Sequence, residues 1–257
     1  MNENFDHERR LRISQFAQDS VLNSLAHDWV FESMRRKYLY NFDWLGRPII
    51  QYPQDMVAIQ EIIWQVRPTL IIETGIAHGG SLILSASILA LFDYCEAVES
   101  GLAIYPSESK RKVVGVDIEI REHNRSAIER HPMSSKIEMI EGSSTDQKIV
   151  NQVAELAKGH SSVLVLLDSN HTHDHVFNEL EAYANLVSVG SYCVVFDTFV
   201  EDMPTGYFAD RPWDKGNSPR TAVDKFLKFH PEFEVDESIQ NKLLITVAPG
   251  GFLKRIA

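Results

Sequence analysis

The chain has 257 residues, of which 44% are hydrophobic and 24% are charged, a composition typical of a globular protein with one core. Its formal charge of −11 argues against nucleic acid or an anionic membrane as a partner, because both are bound by clustered lysine and arginine. The two cysteines suggest neither a disulfide framework nor a cysteine zinc site. With a polar first segment and no long apolar run, the chain is expected to be cytoplasmic, to have no membrane span and to act on a small molecule.

The N-terminal segment is charged and ends in a run of aromatic residues, Tyr38–Trp44. We expect residues 1–50 to form a helical N-terminal extension that packs on the main domain or on a second subunit, and a homo-oligomer is expected. Residues 51–257 are predicted to form the main domain. Its first helix is indicated by the apolar spacing from Asp55 onward, and Pro68 ends that helix before the first strand.

From residue 69 onward, apolar strand-like runs alternate with helical patterns. The predicted strands are 69–73, 112–117, 136–140, 162–167 and 190–197; the predicted helices are 80–92, 122–130, 146–158, 173–188 and about 219–229. This alternation predicts an α/β fold with a parallel sheet covered on both faces. Two last strands, Phe233–Ser238 and Leu243–Ala248, are predicted to form an antiparallel hairpin around a polar turn at Ile239–Asn241.

The segment Leu70–Ser81 is the most informative motif. An apolar strand ends in Glu73, and glycines then open a helix. Glycine permits positive φ and close approach of the backbone to a ligand, so the segment indicates a loop that binds a nucleoside cofactor. A dinucleotide fold expects an acid about 20 residues further on, whereas here Asp117 ends a much later strand. A tight turn without a ligand is the alternative.

Ligands of such sheets gather at the carboxyl ends of the strands, so the residues there are candidates for the site. Asp117 is expected to accept hydrogen bonds from two ribose hydroxyls. Ser143 and Ser144 are expected near adenine, and Glu73 with the glycine loop near an amino acid end of the cofactor. Acidic and hydroxyl residues after strands are also ordinary helix caps, which is the alternative interpretation.

The strand 163–167 delivers Asp168 and three histidines to the same edge. The alternate spacing of His171, His173 and His175 does not favour a zinc centre, because three imidazoles so placed do not reach one tetrahedral ion without contortion. Asp168 and Asp197, at the ends of successive strands, instead predict an oxygen-rich site for Mg²⁺. Two acids that only cap helices are the alternative.

The long segment 202–217 follows the last parallel strand, where long loops are often specificity elements. Its aromatic residues Tyr207, Phe208 and Trp213 could stack on sugar faces or could pack as a small satellite core.

Together these motifs resemble the cephalosporin hydroxylase family. The resemblance covers about residues 45–255 and is carried by Ile49–Asp55, Glu73–Gly75, Gly115–Ile118, Leu167–His171, Val195–Thr198 and Asn217–Pro219. It implies a Rossmann-like class I methyltransferase fold that uses S-adenosylmethionine (SAM), with a mainly parallel sheet. Its relatives include Mg²⁺-dependent O-methyltransferases that act on sugar hydroxyls of macrolides and other glycosides.

The resemblance implies roles for named residues. Asp168 and Asp197 become the Mg²⁺ ligands, and His171 becomes the general base. The residues expected at SAM are Glu73, Thr74, Gly75, Gly79, Ser81, Asp117, Ile118, Ser143, Ser144 and Asp168; those expected at the substrate are Tyr52, Tyr207, Arg211, Trp213 and Asn217. Where the relatives have an acidic pair this chain has Phe196-Asp197, so the third metal ligand is expected to be water, Thr198 or a nearby acid such as Glu201 or Asp202.

The resulting hypothesis is a SAM- and Mg²⁺-dependent O-methyltransferase that acts on a saccharide or a glycosylated small molecule. A SAM-binding subunit without transferase activity, supporting a hydroxylase, is the alternative from another class. A nicotinamide-dependent oxidoreductase is a third hypothesis. It is disfavoured because Asp117 lies much further from the glycine loop than the acid of a dinucleotide fold.

Overall fold

Most of the predicted strands form one seven-stranded sheet in the computed structural model, which describes residues 3–257. In chain order the strands are β1 (Phe42–Trp44), β2 (Arg47–Ile49), β3 (Leu70–Thr74), β4 (Lys112–Asp117), β5 (Ile137–Glu141), β6 (Val163–Leu167), β7 (Tyr192–Val195), β8 (Phe233–Val235) and β9 (Phe252–Arg255). The large sheet has the order β5-β4-β3-β6-β7-β9-β8, in which the strands from β5 to β7 are parallel and β9 is antiparallel to both neighbours. The predicted mainly parallel sheet is confirmed.

The strand order reverses at β3, which pairs with β4 on one side and with β6 on the other. The reversal opens a crevice at the carboxyl ends of β3 and β6, the usual place for a ligand in such sheets. The residues that follow these two strands, Gly75 and Asp168, therefore lie at the position where a cofactor is expected.

Helices cover both faces of the sheet. They are α1 (Glu3–Gln18), α2 (Ser20–Arg35), α3 (Pro53–Val66), α4 (Gly80–Ser100), α5 (Glu122–Glu129), α6 (Gln147–Ala157), α7 (His173–Tyr183), α8 (Pro219–Phe226) and α9 (Glu237–Leu243). Successive residues of β3 enter different cores: Ile71 joins the cluster that contains α3 and α4, whereas Leu70 and Ile72 join the cluster that contains α6, α7 and α8. Burial on both faces explains why the parallel strands are continuous apolar runs.

Helix α4 is longer than predicted: it continues to Ser100, although its last buried residue is Phe92. Within residues 3–257 it is the one helix long and apolar enough to cross a membrane, and half of its apolar window is buried inside the protein. Burial in the first core accounts for that composition.

The C-terminal region differs from the prediction. The antiparallel pair is present, but its second strand is β9; the predicted strand Leu243–Ala248 is wrong, and α9 replaces the predicted turn. Helix α9 starts there because the Asp236 carboxylate accepts a hydrogen bond from the Ser238 amide at 3.1 Å, an N-cap. Strand β9 begins after Gly251, where an added Cβ would lie 2.1 Å from the Val195 carbonyl oxygen, so only glycine lets the chain join β7 there.

The N-terminal extension packs on the rest of the same chain. Helix α1 contacts α9, and the β1–β2 hairpin contacts α4, where the Trp44 indole donates to the Ser87 hydroxyl at 3.0 Å. The Tyr207 hydroxyl donates to the Phe31 carbonyl at 2.9 Å, which joins α2 to the segment after β7. The extension thus forms part of the wall above the sheet edge.

Candidate active site

A cleft of about 890 Å³ opens at the carboxyl edge of the sheet, between the glycine loop and the N-terminal extension. The predicted site residues that line it are Gly75, Ser81, Asp168, His171, Asp197, Tyr207, Arg211 and Trp213. The cleft therefore joins the expected cofactor, metal and substrate regions in one space.

Gly75 is required by the close approach of β3 and β6. Its φ is +89°, and an added Cβ would lie 2.1 Å from the carbonyl oxygen of Asp168. Gly79 also has positive φ, +82°, and faces the Ile128 side chain. Both positions combine a backbone conformation that favours glycine with a lack of space.

Substitution of Gly75 by alanine should destabilise the fold and distort the metal edge, because the new methyl group meets the backbone of Asp168. Gly190→Ala is the matched control: its φ is +84°, but its Cβ would meet nothing within 4 Å. In a denaturant titration, the control should lose about 1 kcal/mol of the free energy of unfolding, which is the cost of the conformational preference alone. Gly75→Ala should lose clearly more. Equal losses would mean that the contact with Asp168 is unimportant.

Glu73 lies beneath the loop and is almost completely buried. One carboxylate oxygen, Oε1, accepts a hydrogen bond from the Ser81 hydroxyl, whereas Oε2 has no partner among residues 3–257. Burial raises the pKa of Glu73 to about 8. A buried acceptor without a partner fits the amino group of SAM, which carries the hydrogen-bond donors that Glu73 lacks.

Asp117 contributes to the shape of the glycine loop. Its Oδ2 accepts hydrogen bonds from the amides of Ile76 and Ala77 at 2.8 and 3.3 Å, and its Oδ1 accepts from the Glu119 amide at 3.3 Å. Ala77 is held at a φ of +45°. The next residue, Ile118, leaves its side chain exposed, as an apolar surface for a base requires.

Three other predicted cofactor residues have internal roles. The Thr74 carbonyl accepts a hydrogen bond from the Asp168 amide at 3.0 Å, and its side chain is fully buried. Ser143 pairs with Thr145 at 3.1 Å, and the Ser144 hydroxyl lies 3.1 Å from His175 Nε2. Of these residues none lines the cleft.

The candidate metal centre consists of Asp168, His171 and Asp197. One potential ligand atom from each lies within 4.8 Å of the others, and His171 Nε2 is 3.2 Å from Asp197 Oδ2. Burial, and secondly the neighbouring Asp197 carboxylate, raise the pKa of Asp168 well above its usual value. Two acids this close together are unfavourable unless a proton or cation compensates their repulsion, so the donor set fits a divalent cation.

Asp197 adopts the left-handed conformation, with a φ of +56°. Such a conformation is uncommon outside glycine and is found most often at functional sites. It turns the chain sharply between β7 and the short 3-10 segment Thr198–Asp202, which leaves the carboxylate beside His171.

The residues predicted as alternatives for the third metal ligand make other contacts. The Thr198 hydroxyl donates to the Pro249 carbonyl at 2.8 Å, and Glu201 accepts from the Gly216 amide at 2.8 Å and the Ser218 hydroxyl at 2.7 Å. Phe196 is buried in the first core. Over residues 3–257, Asp202 belongs to no group of three potential ligands, and His171 is the residue that joins the two acids.

The other two histidines point away from this centre. His173 Nδ1 lies 2.8 Å from the Thr221 hydroxyl on α8, and His175 Nε2 lies 3.1 Å from the Ser169 hydroxyl. The structure therefore does not bring the three imidazoles together around one ion.

Aromatic residues form the wall opposite the metal centre. Trp213 stands edge-on to His171, with ring centres 4.6 Å apart, and the Arg211 guanidinium lies 5.4 Å from the centre of the Trp213 ring. Tyr207 packs on Phe31 with ring centres 5.1 Å apart. These side chains are placed to shield the reacting groups from water.

Two predicted substrate residues do not line the cleft, and both make internal contacts. Tyr52 is fully buried, its hydroxyl is 2.6 Å from that of Ser33, and burial raises its pKa to about 12. Asn217 accepts from the His173 amide at 2.9 Å and donates to the Pro212 carbonyl, so it fixes the 202–217 segment to α7.

The sequence interpretation also missed cationic residues in the lining. Arg35 and Lys37 come from the end of the N-terminal extension, and Arg121 comes from the start of α5. Arg35 and Lys37 precede the large sheet along the chain, so a search of strand ends could not find them, whereas Arg121 follows the end of β4 at Asp117 and was overlooked there.

Comparison with known proteins gives a consistent group. A family model described as Rhamnosyl O-methyltransferase/CmcI matches residues 36–256. The rhamnosyl O-methyltransferase of Mycobacterium bovis (strain BCG / Pasteur 1173P2) is 28% identical over 238 residues, covering 89% of this chain and 86% of the relative. That of Mycobacterium leprae (strain TN) is 28% identical over 236 residues, covering 89% and 91%.

Solved structures show the same fold at lower identity. A structure of CmcI with Mg and SAM has a TM-score of 0.54 at 16% identity and covers 85% of this chain and 78% of that chain. A CmcI structure with S-adenosylhomocysteine (SAH) has a TM-score of 0.56 at 17% identity. It covers 85% of this chain and 84% of that chain.

Proposed function

Because this chain belongs to the Rhamnosyl O-methyltransferase/CmcI family, we propose that it transfers a methyl group from SAM to a hydroxyl of a saccharide or a glycosylated small molecule, with Mg²⁺ at the site. The observation that carries the proposal is the cluster of Asp168, His171 and Asp197, which opens into the same cleft as the glycine loop. The names of the rhamnosyl O-methyltransferases and the Mg-SAM complex of CmcI support the choice of sugar, cofactor and metal.

The cofactor would be held at both ends of the loop. Glu73 would accept a hydrogen bond from the amino group of SAM. Asp117, at the end of β4, would accept hydrogen bonds from the ribose hydroxyls of SAM. The positive φ of Gly75 and Gly79 shapes the loop that would face the ligand, and Ile118 would cover the base. SAM, when bound, supplies an electrophilic methyl group whose departure needs no acid.

The acceptor hydroxyl must lose a proton as it attacks, because a neutral sugar hydroxyl is a poor nucleophile. Bound at Asp168 and Asp197, Mg²⁺ would supply Lewis acidity to that hydroxyl. The His171 imidazole would take the proton, and the Asp197 carboxylate, 3.2 Å from Nε2, would stabilise the imidazolium that results. Trp213 contacts the imidazole edge-on and would help to hold its orientation.

Glu73→Gln should lower the affinity for SAM and remove a pH dependence of stability. The folded carboxyl has a pKa of about 8 against its ordinary 4.5, so between these values the folded protein keeps a proton that the unfolded chain has lost. The free energy of unfolding should therefore fall as pH rises through this window, by up to about 1.4 kcal/mol per pH unit from this group, and level off above it. Denaturant titrations from pH 5 to 9 measure the difference between the two proteins.

Glu141→Gln is the control, because Glu141 ends β5 in a half-exposed position paired with Arg125. It should leave both the SAM affinity and the shape of the stability curve unchanged. Parallel pH curves for wild type and Glu73→Gln would contradict the assignment of Glu73.

Transfer itself is tested by incubating the protein with methyl-labelled SAM and a panel of glycosides, with and without Mg²⁺. Label in the sugar that depends on Mg²⁺ supports the proposal. Binding of SAM without transfer to any acceptor supports the non-catalytic subunit, and stabilisation by a nicotinamide nucleotide instead of SAM supports an oxidoreductase.

We also propose that the protein is a homo-oligomer. Leu91, Tyr94 and Val98 lie on one face of α4 and each is more than half exposed, which is costly for a monomer. Light scattering on a size-exclusion column measures the mass, and a mass near 29.3 kDa would exclude the oligomer.

A further inference from the structure

The charge of the cleft is opposite to that of the protein. The whole chain has a formal charge of −11, yet its cleft is lined by the cations Arg35, Lys37, Arg121 and Arg211. The lining also contains three acids, Asp168, Asp197 and Asp210, two of which form the candidate metal centre. Apart from that centre, the cleft therefore presents four cations against a single acid.

These cations are largely available to a ligand. In the part of the chain that the structure describes, Lys37, Arg121 and Arg211 form no ion pair. Arg211 lies over the Trp213 ring, and Arg35 pairs with Glu32 at 3.3 Å on the exposed surface of α2.

Three of the cations lie on the acceptor side of the cleft. Arg35 ends α2 and Lys37 follows it, and Arg211 lies in the segment that α2 contacts through the bond from the Tyr207 hydroxyl to the Phe31 carbonyl. Arg121 instead starts α5, close along the chain to Asp117, and so belongs to the cofactor side.

Lys37 is held in place by its backbone. Its φ is +54°, a conformation that non-glycine residues seldom adopt. The Lys37 amide donates to the Met34 carbonyl at 2.9 Å, and its carbonyl accepts from the Asn41 side chain at 3.0 Å. The surrounding bonds thus maintain an unfavourable conformation at a residue whose side chain lines the cleft.

We propose that the acceptor sugar carries a phosphate or diphosphate group, bound by Arg35, Lys37 and Arg211. The proposal rests on the proposed function and specifies its substrate. Arginine binds phosphate through two parallel hydrogen bonds, and a phosphate monoester carries about −1.5 to −2 charges near neutral pH. Arg35 already pairs with Glu32, so a neutral glycoside would leave the charges of Lys37 and Arg211 without an anionic partner, whereas a phosphate monoester would match the charge of these two residues.

Binding measured by calorimetry tests the proposal without depending on turnover. The ligands are a hexose 1-phosphate, a nucleoside diphosphate hexose, a hexuronic acid and a neutral methyl hexoside, each titrated into protein with SAH and Mg²⁺. At least one phosphorylated sugar should bind ten times more tightly than the neutral one and should lose affinity as salt is added. Tight binding by both phosphorylated sugars shows that one phosphate suffices, whereas tight binding by the diphosphate alone identifies a nucleotide sugar.

Lys37→Gln and Arg211→Gln should each weaken binding of the phosphorylated sugar about tenfold or more, because each removes a charge-assisted hydrogen bond. Affinity for the neutral hexoside should stay the same. Lys215→Gln is the matched control, because Lys215 lies in the same segment, is exposed and does not line the cleft. If phosphate is held only through the metal, the two variants will bind like the wild type, and the proposal is overturned.

The outcomes separate this proposal from the proposed function. Equal affinity for phosphorylated and neutral sugars, together with methyl transfer to the neutral ones, overturns the phosphate proposal alone. Tight, variant-sensitive binding of phosphorylated sugars, with no methyl transfer to any phosphorylated or neutral sugar tested, supports the anion site and contradicts the methyltransferase.

Discussion

Exhaustive chelation should abolish methyl transfer, and added Mg²⁺ should restore it. The reason is that Asp168 and Asp197 form a pair of acids in the cleft, of which Asp168 has its pKa raised by burial and by its partner. A cation removes that repulsion, so Mg²⁺ should also stabilise the fold. At 100 times its Kd the gain should be about 2.7 kcal/mol.

Asp168→Asn separates the two effects. Without Mg²⁺, the variant should be as stable as the wild type or more stable near neutral pH, because it lacks one of two neighbouring acids that repel each other. With Mg²⁺ it should gain no stability and show no transfer. Thermal unfolding with and without the metal measures both, and an active variant or full activity after chelation would remove the metal from the mechanism.

His171→Ala should lower kcat by about 10²–10⁴-fold, the usual contribution of a general base. Affinity for SAM should hardly change, because the imidazole faces Asp197 and Trp213 rather than Glu73. Initial rates at saturating SAM and acceptor measure the effect, and calorimetry measures the affinity.

His173→Ala is the control for this experiment. Its imidazole is 2.8 Å from Thr221 and stacks on Phe177, away from the cleft, so the rate should stay within a few-fold of wild type. If saturating Mg²⁺ restores the rate of His171→Ala, then His171 is a metal ligand and the base is another group.

The local features of the fold could be predicted from the sequence. The glycines after Glu73 indicate a place where two strands approach closely, and the acids after β6 and β7 indicate the edge of the sheet. Each of these features is therefore predicted by residues next to one another in the chain. The C-terminal error arose because Leu243–Ala248 is as apolar as a strand. The N-cap at Asp236 and the Gly250-Gly251 pair were the better signals, since they determine where a helix begins and where a strand can join β7.

Other features depend on contacts between distant segments. Tyr52 is buried because Ser33, on a different helix, meets its hydroxyl. Asp55 is buried for a similar reason: Thr246 and Val247, near the end of the chain, donate to its carboxylate. The position of Lys37 in the cleft likewise follows from how α2 packs, so no pattern within its own segment predicts it.

The bonds from the Ile76 and Ala77 amides to the Asp117 carboxylate have a consequence for the entropy of binding. Fixing the backbone of a residue costs about 1–2 kcal/mol of conformational entropy. Here the loop is ordered when the protein folds, since its amides are already engaged before any nucleoside arrives. The cofactor therefore meets a preorganised surface, and the free energy of its contacts contributes to affinity without being offset by the ordering of the loop.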